Sequence, residues 1–329
     1  MDPVDALTEI AYLLERERSS AYKSKAFRRA GEVVAGLDPG VLADPARLKT
    51  VPGIGDSTYK VIRQALAGEV PDYLADLRER LGPARASELR ARLRGDLHAH
   101  TEWSDGATSI ELMVRSALRL GHEYLAITDH SPRLTVARGL SAERLGEQLA
   151  IVDTFRDDGF TLLKGIEVDI NEDGTLDQTD EMLAKLDVVV ASVHSKLRSD
   201  PAEMTRRMLG AIRNPRTDVL GHVTGRLVEG SRGTRPGSTF DAEAVFAACA
   251  ERGVAVEINS RPERQDPPDE LIRVALDAGC LFSIDSDAHA PGQLSLLDYG
   301  AERAERMGVP PERIVTTWPL ADLLAWTGR

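Results

Sequence analysis

The stretch Gly95-Asp96-Leu97-His98-Ala99-His100-Thr101-Glu102-Trp103-Ser104-Asp105-Gly106 decides how the rest of the chain is read. Leu97 and Ala99 alternate with His98 and His100, which is the period of a β-strand. Residues i and i+2 of a strand project to one face, so the two imidazoles stand side by side. Neutral imidazoles that close suit a divalent metal better than an apolar core. Asp105 falls in the Ser-Asp-Gly turn leaving the strand, where a carboxylate can swing back over the strand end. Alone, the pair also fits a buried strand with one satisfied histidine and a surface turn.

The other histidines choose between these readings. Of seven in the chain, six share one setting. His98 and His100 are followed by His130 at the end of Tyr-Leu-Ala-Ile-Thr-Asp-His, and His194 at the end of Val-Val-Val-Ala-Ser-Val-His. His222 closes Val-Leu-Gly-His, and His289 follows Ser-Ile-Asp-Ser-Asp-Ala. Each lies at or just past the C-terminal end of a short apolar run that reads as a buried parallel strand. Glu167 and Asp287 sit at strand ends too. His122 precedes its strand and reads as structural or solvent-facing. The metal reading prevails.

From residue 94 onward, strands and helices alternate. Strands are expected over 95–100, 123–129, 160–169, 187–194, 218–223, 253–259 and 280–286. Helices are expected over Ser109–Leu120, Ala142–Asp157, Ala202–Arg213, Ala242–Arg252 and Glu270–Ala278. Seven βα units imply a closed parallel α/β barrel, one unit short of the usual eight. In such barrels the reactive groups gather at the C-terminal strand ends, where the histidines fall.

The N-terminal part is different. Residues 5–18 and 21–37 have helical apolar spacing, and the second stretch carries Lys23, Lys25, Arg28 and Arg29 on its polar side. Val51-Pro52-Gly53-Ile54-Gly55 then precedes a helix over Asp56–Leu66. Two glycines around one apolar residue let the backbone turn sharply, and the amides beside a helix N-terminus can cradle a phosphate oxygen. The basic cluster reads equally as a solvated helix face, and the glycine pair as a cap.

With 329 residues there is room for one large domain and a small one. No run of about 18 apolar residues or charged-then-apolar leader occurs, so a soluble chain without membrane contact is expected. Cys249 and Cys280 are too few for a disulfide framework and point to a reducing cytoplasm. The net charge of −12 is uneven: residues 1–95 carry 16 basic and 14 acidic side chains, the remainder 25 and 39. An acidic body does not by itself suggest nucleic-acid binding.

Residues 95–325 resemble the polymerase-and-histidinol-phosphatase (PHP) domain. The ordered signature is Asp-Leu-His-x-His at 96–100, Ser-Asp-Gly at 104–106, Thr-Asp-His at 128–130, Gly-Ile-Glu at 165–167, Ser-Val-His at 192–194, Gly-His at 221–222 and Ser-Asp-x-His at 286–289. The resemblance implies a distorted seven-stranded (β/α)7 barrel with three divalent transition-metal ions, Zn, Mn or Fe. It implies that His98, His100, Glu167 and Asp287 hold one ion, that Glu167 bridges to a second with His194 and His222, and that Asp105, His130 and His289 hold the third. Imidazole mixed with carboxylate suits these metals and not Ca. Close metals serve phosphoester hydrolysis by activating water and neutralising phosphoryl charge. Glu167, Asp287 and Arg264 are the expected catalytic positions. Arg138, Lys196, Arg226, Arg261 and Arg264 are the cationic candidates for substrate phosphate.

Residues 5–80 resemble the small all-α N-terminal domain of family X DNA polymerases, through Tyr-Lys-x-Lys-Ala-Phe-Arg-Arg-Ala at 22–30 and the helix-hairpin-helix turn at 51–55. The resemblance implies sequence-independent DNA contact through Gly53, Gly55, Lys23, Lys25, Arg28 and Arg29. Val61 stands where lyase-active members carry their Schiff-base lysine, with Lys60 one residue short, so lyase chemistry is not expected. The expected organisation is a helical domain over 1–80, a linker over 81–94 and the barrel over 95–329. No space remains for a polymerase core. The expected function is a metal-dependent phosphoesterase acting on DNA, a 3′–5′ exonuclease or 3′-end processing enzyme in repair, without polymerase activity. The alternatives are a histidinol-phosphatase-like enzyme for a small phosphomonoester and a non-catalytic accessory that binds DNA ends.

Overall fold

A computed structural model describes residues 1–82, 87–155, 157, 159–230 and 233–328. The chain divides into two compact units, Met1–Arg85 with Pro291–Gln293, and Ala86–Ala290 with Leu294–Arg329.

The first unit is helical. It contains α1 (Pro3–Arg16), α2 (Ala21–Ala35), α3 (Pro39–Ala43), α4 (Pro45–Lys49), α5 (Asp56–Leu66) and α6 (Asp72–Leu81). Apolar residues at helical spacing meet in one core of Leu7, Ile10, Leu14, Phe27, Val34, Leu48, Ile62, Leu74 and Leu77. Asp2 caps α1 by accepting from the amides of Val4 and Asp5. The glycine turn lies between α4 and α5. Gly53 takes φ +94°, which an L side chain rarely adopts. Gly55 caps α5, its amide donating to Thr58 Oγ1 at 2.9 Å.

The second unit is the seven-stranded (β/α)7 barrel. Its strands are β1 (Gly95–Asp96), β2 (Tyr124–Ile127), β3 (Thr161–Asp169), β4 (Val188–Ser192), β5 (Val219–Leu220), β6 (Ala255–Asn259) and β7 (Phe282–Asp285). They pair in sequence order, every pair parallel. The helices are α7 (Ile110–Arg119), α8 (Ala142–Val152), α9 (Asp180–Leu183), α10 (Pro201–Arg213), α11 (Ala242–Arg252), α12 (Asp269–Asp277), α13 (Leu297–Arg306) and α14 (Leu320–Thr327). A parallel bridge between Ala99 and Ala288 joins the chain beyond β1 to the chain beyond β7. At the opposite end the 3-10 turn Val315–Thr317 fills that seam: the Arg94 amide donates to the Thr316 carbonyl at 2.8 Å, and Ile284 to Thr316 Oγ1 at 3.1 Å.

Both faces of the sheet are buried, and the strands show it residue by residue. Tyr124, Ala126, Leu163, Val188, Val190, Val219 and Ala255 form one cluster with Leu97 and Val315. The alternate residues Ile166, Val168, Val189, Ala191, Val256, Ile258, Phe282 and Ile284 form another with the helices. By this period of two, Glu167 follows Leu163 and His194 follows Val190.

Several expected elements are shorter than their expected ranges, the strand over 218–223 pairing only through Val219–Leu220. The strand expected over 95–100 pairs only through Gly95–Asp96. Beyond it, side chains replace the ladder partners: Asp285 accepts from the Leu97 amide at 2.9 Å, Asp96 from His98 at 3.0 Å, and Thr128 Oγ1 from Ala99 at 3.0 Å. The helix expected over Ala142–Asp157 ends at Val152, and Asp157 forms a bridge with Phe160; residues 156 and 158 lie outside the described residues. Within the stretch 87–94, Leu89 and Leu93 are buried in the barrel core, and Arg90 pairs with Asp298 at 3.0 Å.

Candidate metal centre

Glu167 is the hub. It lies near the C-terminal end of β3, is 1% exposed, and is faced by five imidazoles. His130 Nδ1 lies 2.8 Å, His98 Nε2 3.3 Å and His100 Nε2 3.6 Å from Oε2. His222 Nε2 lies 2.7 Å and His194 Nε2 3.2 Å from Oε1. Asp287 adds a second carboxylate, with Oδ1 3.5 Å from His100 Nε2. Asp105 adds a third, 3.5 Å from His130 Nε2 and 3.4 Å from His289 Nε2.

Three groups of donors lie close enough to share an ion, each with its atoms within 4.8 Å: His100, Asp105, His130 and His289; His98, His100 and Asp287; and His130, Glu167 and His194. His98 Nε2, His100 Nε2 and His194 Nε2 are buried without a hydrogen-bond partner although each faces a carboxylate. Buried imidazole lone pairs that converge without donors fit divalent cations, and the nitrogen–oxygen donor set suits transition metals. His100 and His130 each belong to two groups, so the sites adjoin.

The electrostatics agree with an anionic hub among imidazoles. Burial alone would raise the pKa of Glu167, yet His194, His98 and His130 outweigh it and hold the carboxyl well below the usual range. Burial opposes the charged form of His194, and Glu167 and Asp169 outweigh it, raising the imidazole to about 9. Burial, then His289 and His130, push His100 down to about 3. Arg264 and Arg261 offset the burial of Asp287 and keep it ionised.

A set of buried carboxyls, absent from the expected site residues, orients these groups. Glu257 on β6 lies 2.6 Å from His98 Nδ1 and accepts from the His222 amide at 2.5 Å. A carboxylate on the far ring nitrogen fixes the tautomer and direction of a histidine ligand. Asp169 accepts from the His194 amide at 3.2 Å. Asp129 accepts from the Thr101 amide at 2.9 Å and from Thr101 Oγ1 and Gln148 Nε2, both at 2.6 Å. Asp129 belongs to the Thr-Asp-His motif, and Glu257 shares the inward parity of Asn259, so motif and parity were the available signals.

The cationic candidates fare differently. Arg264 is 8% exposed and donates Nε to Asp287 at 2.9 Å. Arg261 donates Nη1 to the Asp287 carbonyl at 2.8 Å. Arg226 donates Nε to the Arg264 carbonyl at 3.1 Å and Nη2 to that of Gln265. Arg138 donates to the carbonyls of Glu102 and Ser104. Lys196 is exposed, at φ +54° just beyond β4. His122 is buried, not solvent-facing, with neither ring nitrogen hydrogen-bonded.

In the helical unit Lys23, Lys25 and Arg29 are exposed on α2. The Gly53 turn packs against that helix: a Cβ there would meet Val33 Cγ2 at 3.2 Å and Arg29 Cγ at 3.7 Å. Arg28 turns inward instead, 13% exposed and ion-paired with Glu15, its pKa brought down to about 10 by burial.

Comparison with known proteins defines the class. The family model of the PHP domain matches residues 96–261, and that of a helix-hairpin-helix domain matches residues 1–70. The chain belongs to the PHP domain family of phosphoesterases, with an added N-terminal helix-hairpin-helix domain. Among individual proteins, it is 36% identical over 240 residues to the DNA polymerase/3′-5′ exonuclease PolX of Bacillus subtilis (strain 168), an alignment covering 72% of this chain and 41% of that one. The chain therefore spans about two fifths of that relative's length. It is 30% identical over 247 residues to a probable phosphatase of Aeromonas hydrophila, covering 71% of this chain and 94% of that one. A probable phosphatase of Caldanaerobacter subterraneus is 29% identical over 243 residues, covering 70% and 89%. A solved histidinol phosphate phosphatase from Lactococcus lactis, complexed with Zn, L-histidinol and phosphate, superposes with TM-score 0.48 at 17% identity, covering 66% and 94%. Among the described residues no helix is long and apolar enough to cross a membrane.

Proposed function

We propose that this protein is a metal-dependent phosphodiesterase acting on DNA, a 3′–5′ exonuclease or 3′-end processing enzyme without polymerase activity. One observation carries the reading: a carboxylate hub ringed by imidazoles stands in the same chain as a helix-hairpin-helix turn that packs against α2 at Val33 and Arg29. The proposed organisation is a helical domain over 1–80, a connection over 81–94 and the barrel beyond.

Divalent ions, Zn, Mn or Fe, would supply an activated water and neutralise phosphoryl charge. His98, His100, Asp105, His130, Glu167, His194, His222, Asp287 and His289 would hold them. Glu167 presents one oxygen to His98, His100 and His130, and the other to His194 and His222. Asp287 is kept anionic and aimed by Arg264 Nε and by Asn259 Nδ2 at 3.2 Å. Arg264 therefore acts on substrate through Asp287, and Lys196 is the side chain better placed to meet a phosphate oxygen. Remote grip on the polymer would come from Gly53, Gly55, Lys23, Lys25 and Arg29, whose contacts are to the backbone and independent of sequence.

A second reading is a phosphatase for a small phosphomonoester. It is favoured by the probable phosphatases, which align over about nine tenths of their own length. Metal-reconstituted protein assayed on 5′-labelled oligonucleotides and on a phosphomonoester panel separates the two. Stepwise shortening of the oligonucleotide from its 3′ end supports the first reading; turnover of monoesters alone supports the second.

A further inference from the structure

Asp105 is unlike the other candidate ligands. It stands on a turn, and its side chain is 38% exposed, against 1% for Glu167 and 2% for Asp287. A ligand on a surface turn is only as well placed as the turn that carries it. Here the turn is held from both sides. On the amide side, Asp129 accepts from the amides of Thr101 and Ser104, at 2.9 and 3.2 Å, and from both hydroxyls. On the carbonyl side, Arg138 Nη2 donates to Glu102 O at 2.7 Å and to Ser104 O, while Arg144 Nη2 donates to Trp103 O. Three consecutive carbonyls, immediately before Asp105, thus accept from two guanidiniums.

The two arginines are also tied to each other. Arg144 Nη1 donates to the carbonyl of Arg138 at 2.6 Å and to that of Gly139 at 3.3 Å. Arg138 takes φ +57°, a left-handed conformation that costs a non-glycine residue on the order of 1 kcal/mol and persists where the surroundings impose it. Fastening a surface turn for stability alone needs neither the strain nor the capture of each successive carbonyl.

We propose that Arg138 and Arg144 are positioning residues for the cation site formed by Asp105, His130 and His289. They set the direction of the Asp105 carboxylate through its own turn, and so the affinity of the most exposed site. The inference rests on Asp105 being a ligand, as in the proposed function. The full chain, stripped of metal and titrated with Mn²⁺, tests it through the number and affinity of bound ions, with Co²⁺ absorption reporting the geometry of each site. In Arg138→Ala/Arg144→Ala the site that Asp105→Ala removes loses tenfold or more in affinity and its Co²⁺ bands change, while the remaining sites stay within twofold of wild type. Arg144→Lys, which keeps the charge but cannot bracket two carbonyls, falls between. Asp105→Ala abolishes the same site. Wild-type affinity at every site in the double variant, or equal weakening of all sites, overturns the positioning role, provided Asp105→Ala still loses one ion. If Asp105→Ala loses none, the ligand assignment falls and the inference with it. Should the double variant not fold, the two single variants are read by the same criteria.

Discussion

Glu167 shows how much one side chain is asked to do. Its two oxygens face imidazoles from five positions on the chain, and its buried charge is tolerable only because those groups or cations surround it. Glu167→Gln keeps the shape and removes the anion. Because losing a group that merely supports a ligand costs about 10–100-fold in metal affinity or activity, the expectation is at least that loss, with two ions released together on elemental analysis. A variant that keeps its metals and its activity would show that the hub is not a bridge. His122 offers a test at a residue outside the site. Burial, and then the charge of Arg90, lower its pKa to about 3 from the ordinary histidine value of 6.5. A depressed histidine contributes stability above its unfolded pKa and loses it as pH falls from 6.5 toward 3. Between pH 7 and pH 5 the native state should lose about 2 kcal/mol on this account. Denaturant titrations of His122→Leu should show a shallower acid decline than wild type by that amount.

At the scale of elements, the strained residues described in the barrel unit mark where the strands hand over to loops. Arg138, Lys196, Gln265 and Asp287 all have positive φ, and all lie beyond the C-terminal ends of strands. Non-glycine residues in that region persist where contacts over-determine them, and such sites are often functional. In the helical unit, the relevant element is the pair formed by α2 and the glycine turn. Gly53→Val would confound two effects, since φ +94° and the 3.2 Å approach to Val33 strain the fold as well as the surface. Lys25→Ala/Arg29→Ala leaves the turn intact. If these two contact phosphates, DNA affinity should fall alike for all sequences, and the slope of log affinity against log salt should shrink by roughly 2. An unchanged slope would give this face a structural role only. Arg28 would contribute nothing to that slope, because its guanidinium is occupied by Glu15.

For the whole molecule, nuclease and phosphatase would use the same metals and differ in what grips the substrate away from the reaction. Binding energy from a remote contact raises catalysis on a polymer and is absent for a small substrate. Removing residues 1–82 should therefore lower kcat/KM on oligonucleotides by about tenfold or more, on the order of 1.4 kcal/mol, and hardly alter hydrolysis of a small chromogenic phosphodiester. The cut must spare residues 87–94, since Leu89 and Leu93 are part of the barrel core and their loss would unfold what is being tested. Equal activity of truncated and full chains on DNA would favour the phosphatase reading.

Much of this protein was legible in its sequence because the deciding signals are local. Alternation along strands, helical spacing, and histidines at the ends of apolar runs specified a seven-unit parallel barrel and the rim where His98, His100, His130, His194, His222 and His289 gather. The glycine pair at 53 and 55 marked the turn for the same reason: backbone geometry depends on neighbours in the chain. What only the tertiary structure decided are the partners of long or buried polar side chains. Arg226 reaches the carbonyls of residues 264 and 265, and Arg138 those of 102 and 104, so charges open to a substrate in the sequence are committed to backbone in the fold. Glu257 meets His98 across a separation of 159 residues, and Asp285 caps Leu97 across 188, which also ends β1 early. A buried polar group must find a partner wherever the fold brings one, and that choice depends on distances in space that no local pattern encodes.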